Sequence, residues 1–257
     1  MISYAPKTFP SLAPLLREKE HTKLKSLTLR GGHMPQATQE ISETAVTNDP
    51  NARALLQKAF ENTARWPADF GGFTSNLEVN TNGTKSQGTV TVNSAKDVSV
   101  SLPDADLQKS IEGTVGMIVV HRAHRTFDEA DGKYALTFEG DANHPFGQRL
   151  RIHGDNSSSF YYLKDNRITQ INRTMQHIAF TINVEESAVT PEGKNLTIKY
   201  TVYYSSPKDG SLRNVESVTD THVRVGTADL PATRRIISYE NKQVVTKTLT
   251  FTNHKLT

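Results

Sequence analysis

The segment FENTARWPADFGGFTSNLEV, residues 60–79, joins a helix-like pattern to a strand-like pattern. It contains the only tryptophan of the chain, Trp66, followed directly by Pro67. Proline cannot continue a helix, and it restricts the residue before it to extended conformations. Gly71 and Gly72 then give the backbone the freedom to turn into a strand. The segment therefore predicts the end of a helix, a rigid aromatic junction and the start of a first strand.

Two segments carry the pattern of an α-helix, at residues 47–66 and 103–122. Asp49 can cap the first, because its carboxylate accepts hydrogen bonds from the free N–H groups of the first turn. The second begins at Asp104 or Asp106, and its apolar residues keep to one face. Two glycines inside the second segment weaken the pattern, since glycine costs about 1 kcal/mol relative to alanine in a helix.

Most of the remaining chain alternates apolar and polar residues between turn sequences such as Asn82-Gly83. Strands are predicted at residues 73–79, 90–92, 98–102, 134–139, 149–153, 159–164, 167–175, 177–186, 196–205, 212–225, 233–240 and 244–255. Long strands in steady succession indicate an antiparallel meander, which must roll up or be covered to protect its faces and edges. We therefore predict a mainly β fold with two or three helices, in which the meander rolls into a half-barrel around the helices.

Residues 49–257 are predicted to form a single β-rich domain, because they contain neither a repeat nor a long linker. Residues 35–48 are polar and are predicted to be loose. Residues 1–34 are basic and end in RGGHM, which looks like a cloning junction before a second start. We interpret this segment as a leader or an upstream extension, with an organelle-type targeting peptide as the alternative.

Composition and charge exclude several classes of function. The chain has no cysteine, which excludes disulfides and thiolate metal sites. No apolar run approaches the roughly 18 residues of a membrane helix, so we expect a soluble protein without a membrane span. The net charge of +3 comes from residues 1–34, where six lysines and arginines face two glutamates. The near-neutral remainder gives no electrostatic reason to expect nucleic-acid binding.

Several motifs resemble those of a bacterial domain family of unknown function. The segment LLQKAFENTARWPADFGGFTSNLEV resembles its opening, a helix followed by W-x-x-x-F-x-G-[FY]-T. VVHRAHRTFDEADGKYALTF and YYLKDNRITQINR resemble two later stretches, H-R-x-x-R-x-F-E and Y-x-[VL]-x-D-N-x-[IV]. The resemblance covers about residues 50–257 and implies no catalytic residue. The predicted shape is similar to the LolA-like half-barrel of lipoprotein carriers, which hold acyl chains in a concave sheet.

The half-barrel leaves an apolar groove between sheet and helices, which predicts that a small acyl-chain amphiphile is the partner. The predicted ligand-binding residues are Trp66, Phe70, Phe73, Arg122, Arg125, Tyr134, Phe138 and Tyr162. The two arginines are expected to recognise an anionic or carbonyl head group. Two structural alternatives stay open. Cations such as these also suit a helix C-terminus, and Trp66 and Phe70 could instead plug one end of the barrel.

Histidines are the candidate catalytic groups. HRAHR places His121 and His124 three residues apart, and His144 follows in the next polar loop. A histidine beside the groove could act as a general base in the hydrolysis of an acylated ester or lactone, such as an N-acyl homoserine lactone. The chain also resembles a metagenome-derived hydrolase of such lactones. Neither H-E-x-x-H nor G-x-S-x-G occurs, so no motif names the reaction.

An oxygen-rich loop provides a candidate calcium site. FDEADGK gathers Asp128, Glu129 and Asp131, and carboxylate oxygens are the ligands that Ca²⁺ prefers. The loop lacks the spacing of an EF-hand, so an acidic turn is the alternative. Three classes of function therefore remain: a possible hydrolase of acylated lactones or esters, a non-enzymatic carrier of an acyl ligand, and a structural interaction domain with a filled interior.

Overall fold

The computed structural model describes residues 46–154, 158–240 and 242–257. The predictions for residues 1–34 and for most of residues 35–48 lie outside this part of the chain. The described helices are α1 (Pro50–Glu61) and α2 (Ala105–Arg122), and a short 3-10 helix spans Asp131–Lys133. The strands are β1 (Phe73–Thr81), β2 (Thr84–Ser94), β3 (Asp97–Ser101), β4 (Ala135–Glu139), β5 (Gln148–His153), β6 (Ser158–Lys164), β7 (Arg167–Thr174), β8 (Ala179–Val189), β9 (Asn195–Ser205), β10 (Leu212–Val225), β11 (Ala228–Glu240) and β12 (Gln243–Leu256).

The twelve described strands form one open antiparallel sheet in the order β3-β2-β1-β12-β11-β10-β9-β8-β7-β6-β5-β4. The last strand, β12, lies beside β1, and from there the sheet is a meander running back to β4. The predicted mainly β fold with two α-helices is confirmed. The turn at Asn82 and Gly83 also forms as predicted, with φ of 50° and 94°. Neither described α-helix has the length and apolar composition needed to cross a bilayer.

Helix α1 begins as predicted but ends earlier. The Asp49 carboxylate accepts hydrogen bonds from the N–H groups of Asn51 (2.8 Å) and Ala52 (3.2 Å). The prediction of a helix to Trp66 is wrong, because the helix ends at Glu61. The next residues bind β9 instead: Thr63 forms a bridge with Asn195, and Ala64 N–H donates to the Asn195 carbonyl. A tertiary contact thus satisfies backbone groups that a further helical turn would have used.

Helix α2 follows the sequence pattern closely. The Asp104 carboxylate accepts a 2.7 Å hydrogen bond from Leu107 N–H, as expected of an N-cap. The helix continues through Gly113 and Gly116 despite their low helix propensity. Its buried residues, which include Ile111, Val115 and Val119, pack against the sheet. Tertiary burial therefore outweighs the local cost of the two glycines.

Two separate hydrophobic clusters hold the helices on the sheet. The first joins α2 to Trp66 and to strands β1, β2, β3, β11 and β12. The second joins α1 to Phe127 and to strands β4, β5 and β6. Among the described residues, neither set of buried side chains includes a member from β8, β9 or β10. The two helices therefore cover the two ends of the sheet, and its middle strands lie between them.

The glycine pair after the tryptophan is required for a close backbone approach. Gly72 has φ of +129°, and a Cβ atom there would lie 1.9 Å from the Val92 carbonyl oxygen. A Cβ atom at Gly71 would lie 2.4 Å from the carbonyl oxygen of Thr257. Only residues without a side chain let this segment pass between β2 and the end of β12. The predicted turn into β1 is therefore confirmed.

Replacement of Gly72 tests this close approach. Gly72→Ala should lower the free energy of unfolding by at least about 2 kcal/mol, because backbone strain and overpacking each cost about 1–3 kcal/mol. Urea denaturation measures the change. Gly116→Ala is the control, since a Cβ atom there meets nothing within 4 Å and should stabilise the helix by up to about 1 kcal/mol. Equal effects of the two substitutions would contradict this account of Gly72.

Candidate functional site

Four residues form a hydrogen-bond network, here called the tryptophan junction: Ala64, Trp66, Arg122 and Asp229. The Trp66 backbone N–H donates to the Arg122 carbonyl (2.7 Å), and its indole N–H donates to the Asp229 carbonyl (3.0 Å). The Arg122 guanidinium donates to the carbonyls of Ala64 (3.0 Å) and Asp229 (3.3 Å). The junction fastens the end of α2 to the segment after α1 and to β11.

One face of the middle strands is continuous with both hydrophobic clusters. Tyr161 belongs to the second hydrophobic cluster, which contains α1, and it is opposite Ile171 on β7. The same row of paired residues continues through Ile182 and Val202 to Glu216 on β10. Residues directly opposite one another in a ladder share a face of the sheet. This row therefore lies on the same side of the sheet as the two helices.

We call the middle of this surface the central face. It comprises Ile171, Arg173, Phe180, Ile182, Val184, Tyr200, Val202, Tyr204, Glu216, Val218, Asp220, Arg234 and Ile236. Val202 and Val218 are buried, whereas the other apolar and aromatic members are half-buried. Because the helices pack mainly on the flanking strands, the central face keeps accessible apolar surface on the inner side of the sheet.

Ion pairs and hydrogen bonds cross the central face between the apolar side chains. The Arg234 guanidinium binds the Asp220 carboxylate with two hydrogen bonds, of 2.8 and 2.6 Å. Arg173 lies 3.5 Å from an Asp131 carboxylate oxygen. The Tyr204 hydroxyl donates to Glu216 at 3.2 Å. Burial is the main reason that the pKa of this phenol is raised, and the charge of Glu216 is the second. The surface is therefore apolar with fixed polar groups, as ligand sites often are.

His121, in the last turn of α2, is within electrostatic range of two residues of this face, Arg173 and Arg234. Burial, followed by the charges of Arg125, Arg234, Arg173 and Arg65, lowers its pKa to about 4. These arginines come from β7, from β11 and from the segments after α1 and α2, so four separate parts of the chain act on His121. Its side chain nevertheless keeps accessible surface.

Arg65 and Arg125 meet at one aromatic ring beside this histidine. Their guanidinium carbons lie 3.6 and 5.9 Å from the centre of the Phe60 ring. Arg65 donates to the Phe60 carbonyl (2.7 Å), and Arg125 donates to the Val120 carbonyl (2.6 Å). Burial, then the charge of Arg125, lowers the pKa of Arg65 to about 10. Both side chains therefore stay cationic at neutral pH in a poorly hydrated place.

The predicted catalytic histidines are not brought together. His144 stacks on Tyr162, with ring centroids 4.4 Å apart. Tyr162 follows the inward-facing Tyr161 on β6, so His144 and Tyr162 lie on the opposite face of the sheet from His121. His124 lies beyond the end of α2 and is exposed. The pKa of about 4 also makes His121 a weak base at neutral pH.

Most of the predicted ligand-binding aromatic residues occupy other positions. Trp66 and Phe73 are 2% and 0% exposed, so both belong to the hydrophobic core and offer no surface to a ligand. Phe70 stacks on Trp66, with ring centroids 4.6 Å apart. Tyr162 faces away from the predicted groove. The burial of Trp66 and its contact with Phe70 favour the alternative that these two residues have an architectural role.

The remaining predicted ligand-binding residues divide between structure and site. Tyr134 packs against the α1 cluster, and Phe138 lies at the edge strand β4 with 39% of its surface exposed. Arg122 is buried in the tryptophan junction, where backbone carbonyls occupy its guanidinium. Among the predicted ligand-binding residues, Arg125 is the one on which the charge of Arg173 of the central face acts. Sequence reasoning missed Arg65 as its companion.

The three predicted calcium ligands bind different partners. Asp128 is exposed and pairs with Arg53. Glu129 accepts hydrogen bonds from the backbone N–H (2.8 Å) and hydroxyl (2.9 Å) of Thr126. Asp131 turns inward towards Arg173. In the part of the chain that the structure describes, no three His, Cys, Asp or Glu side chains are grouped to hold a metal ion. The three carboxylates therefore engage different protein groups, as the alternative of an acidic turn predicts.

The comparison with protein families identifies the chain over nearly all of its described length. Residues 47–257 match a family described as proteins of unknown function, DUF3386. The chain belongs to the DUF3386 family. This match confirms the predicted resemblance to a family of unknown function. No curated protein matches the chain in sequence.

Solved structures that align with this DUF3386 protein include a LolA superfamily protein from Nitrosomonas europaea, with 14% identity and a TM-score of 0.35. That alignment covers 80% of this chain and 93% of the other. A domain from Vibrio parahaemolyticus, described as an outer membrane lipoprotein-sorting protein domain, has 8% identity, a TM-score of 0.33 and coverage of 80% and 92%. A DUF1329 family protein from Desulfovibrio piger has 8% identity, a TM-score of 0.25 and coverage of 80% and 92%.

The lowered histidine pKa values predict acid sensitivity. Burial, followed by the charge of Arg122, also lowers the pKa of His222 to about 4. An unfolded histidine titrates near about 6.5. As the pH falls from about 6.5 towards about 4, the unfolded chain therefore takes up protons before the folded chain does, and stability is lost.

Urea denaturation at several pH values between 7 and 4.5 measures this loss. The double variant His121→Gln, His222→Gln should lose less stability over this range than the wild type. His144→Gln is the control and should follow the wild type, because His144 lies on the other face of the sheet. An identical pH dependence in the wild type and the double variant would contradict the placement of the two histidines in poorly hydrated sites.

Proposed function

We propose that the protein binds a small acyl-chain amphiphile on the central face and acts as a carrier or binding protein. One observation supports this proposal above all. Helices α1 and α2 each pack on a separate hydrophobic cluster, and the inner side of β8, β9 and β10 lies between the two clusters. The apolar side chains there, such as Ile182, Tyr200 and Ile236, are only half-buried. An acyl chain laid along them would complete the burial that the helices leave unfinished.

The energetics favour this kind of ligand. Burial of each CH₂ group contributes about 0.8 kcal/mol, so a chain of about ten carbons gains several kcal/mol even with partial contact. Polar groups beside the apolar strip, such as the Arg234–Asp220 pair, are already satisfied by one another and do not oppose an apolar chain. The same half-exposed side chains distinguish this proposal from a structural domain with a filled interior.

Hydrolysis is not part of the proposal. His121, His124 and His144 lie in three different environments, and Asp128, Glu129 and Asp131 are engaged by other residues. No observation therefore favours a hydrolase of esters or lactones, with or without Ca²⁺, over a binding protein. A hydrolytic role, including opening of an N-acyl homoserine lactone, stays a prediction from the sequence.

Two neighbouring isoleucines provide a matched test of the binding face. Ile236 is opposite Val218 on the central face, whereas Ile237 is opposite Ser217 on the other face. Ile236→Asn should weaken binding of a fluorescent fatty-acid analogue at least tenfold, because it places an amide against the acyl chain. Ile237→Asn should change the affinity less than twofold. The measurement is fluorescence titration at micromolar protein, with thermal unfolding of each variant to show that it is folded.

Two outcomes would contradict the proposal. Absence of binding by the wild type at micromolar concentration would overturn the proposed function. Equal losses of affinity in folded Ile236→Asn and Ile237→Asn would overturn the assignment of binding to the central face.

A further inference from the structure

We propose that Arg65 and Arg125, with His121 beside them, form the subsite for an oxyanion head group, a carboxylate or a phosphate, on the amphiphile. This inference rests on the proposed function and specifies the ligand class. The two arginines come from different connecting segments, after α1 and after α2, and converge at the ring of Phe60. Phe60 belongs to the same hydrophobic cluster as Tyr161, which is opposite Ile171 of the central face, and the charge of Arg173 acts on Arg125. A head group bound by these arginines would therefore lie towards the β7 side of the apolar strip.

Arg65 and Arg125 differ from the other arginines nearby in their ion pairs. Arg234 is paired with Asp220 at 2.6 Å, and Arg173 with Asp131 at 3.5 Å. Within the described ranges, neither Arg65 nor Arg125 has a carboxylate at ion-pair distance. Their acceptors are backbone carbonyls and the face of an aromatic ring. Asp131 acts electrostatically on both arginines, but its ion pair at 3.5 Å is with Arg173. The positive charge therefore exceeds the negative charge around Arg65 and Arg125, and such an excess in a partly desolvated place stabilises an anion.

The hydrogen-bonding capacity of the two side chains is also incompletely used. A guanidinium has five N–H donors, and in the described part of the chain each of these arginines donates through Nη1 only. The Nε atom of Arg65 is buried without a partner. A carboxylate or phosphate accepts two parallel hydrogen bonds from one guanidinium, so an oxyanion matches the unused donors in both charge and geometry.

The neighbouring His121 provides a second readout. Burial and four guanidinium groups hold its pKa at about 4, so its imidazole is neutral at neutral pH and can donate one hydrogen bond. A bound oxyanion would offset the positive charges around it and would make protonation easier. Arginines that serve only to pack against Phe60 would bind no anion and would leave the titration of His121 unchanged.

Three ligands with the same ten-carbon chain separate head from tail: decanoate, decyl phosphate and decanol. Competition against the fluorescent fatty-acid analogue at pH 7 gives their affinities. We expect the wild type to bind decanoate or decyl phosphate at least tenfold more tightly than decanol. Arg65→Gln and Arg125→Gln should each weaken oxyanion binding at least fivefold and change decanol binding less than twofold. Arg235→Gln is the control, since Arg235 is exposed and lies next to Arg234 on the strand, facing the other side.

The outcomes distinguish the two proposals. If all three ligands bind equally and the arginine variants bind as the wild type does, the head-group subsite is overturned and tail binding stands. If none of the three binds, the proposed function fails and the subsite fails with it. A preference for decanoate over decyl phosphate, or the reverse, then tells which oxyanion the site takes.

NMR titration of the histidine side chains gives an independent check. Decyl phosphate keeps its charge at pH 4, so it suits this measurement. Saturation with decyl phosphate should raise the pKa of His121 from about 4 to above 5, whereas decanol should leave it unchanged. The ring signals of His144, on the opposite face, should not move when either ligand is added at constant pH. An unchanged pKa for His121 with decyl phosphate bound would overturn the subsite.

Discussion

The hydrogen bonds of the tryptophan junction hold the end of α2, the segment after α1 and strand β11 together. Trp66 and Arg122 each donate to the Asp229 carbonyl, and each also bonds to the backbone of the segment that carries the other. Arg65 is the neighbour of Trp66, and His121 is the neighbour of Arg122. The contacts that fasten α2 to the sheet therefore also fix the polar groups near the central face.

The division of the core into two clusters explains why the middle of the sheet is available. A helix laid across β8, β9 and β10 would bury more apolar surface and would stabilise the fold by about 25 cal/mol per Å². The protein instead uses one helix at each end of the sheet and keeps Phe180, Ile182 and Ile236 half-exposed between them. Accessible apolar surface on the inner side of a sheet is a feature of binding proteins.

The sequence predicted local structure well because local rules decide it. Pro67, Gly72 and the capping residues Asp49 and Asp104 all act through backbone geometry within a few residues. The site was harder to predict, since a charged residue in a strand has the same pattern whether it faces inward or outward. The register that places Arg234 on the inner face becomes visible only when the neighbouring strands are known. The early end of α1 was also unpredictable from local sequence. The residues after the helix bond to Asn195 on β9, which is distant in the sequence.

Photolabelling is the most direct test of where the acyl chain lies. A decanoate derivative with a diazirine near the end of its chain would be cross-linked to the protein, and mass spectrometry would identify the labelled peptides. The account predicts labels on half-buried, inward-facing residues of β8, β9 and β11, such as Ile182, Tyr200 and Ile236. Labels confined to the exposed outward pair Tyr239 and Val244, which are 58% and 63% exposed, would contradict it.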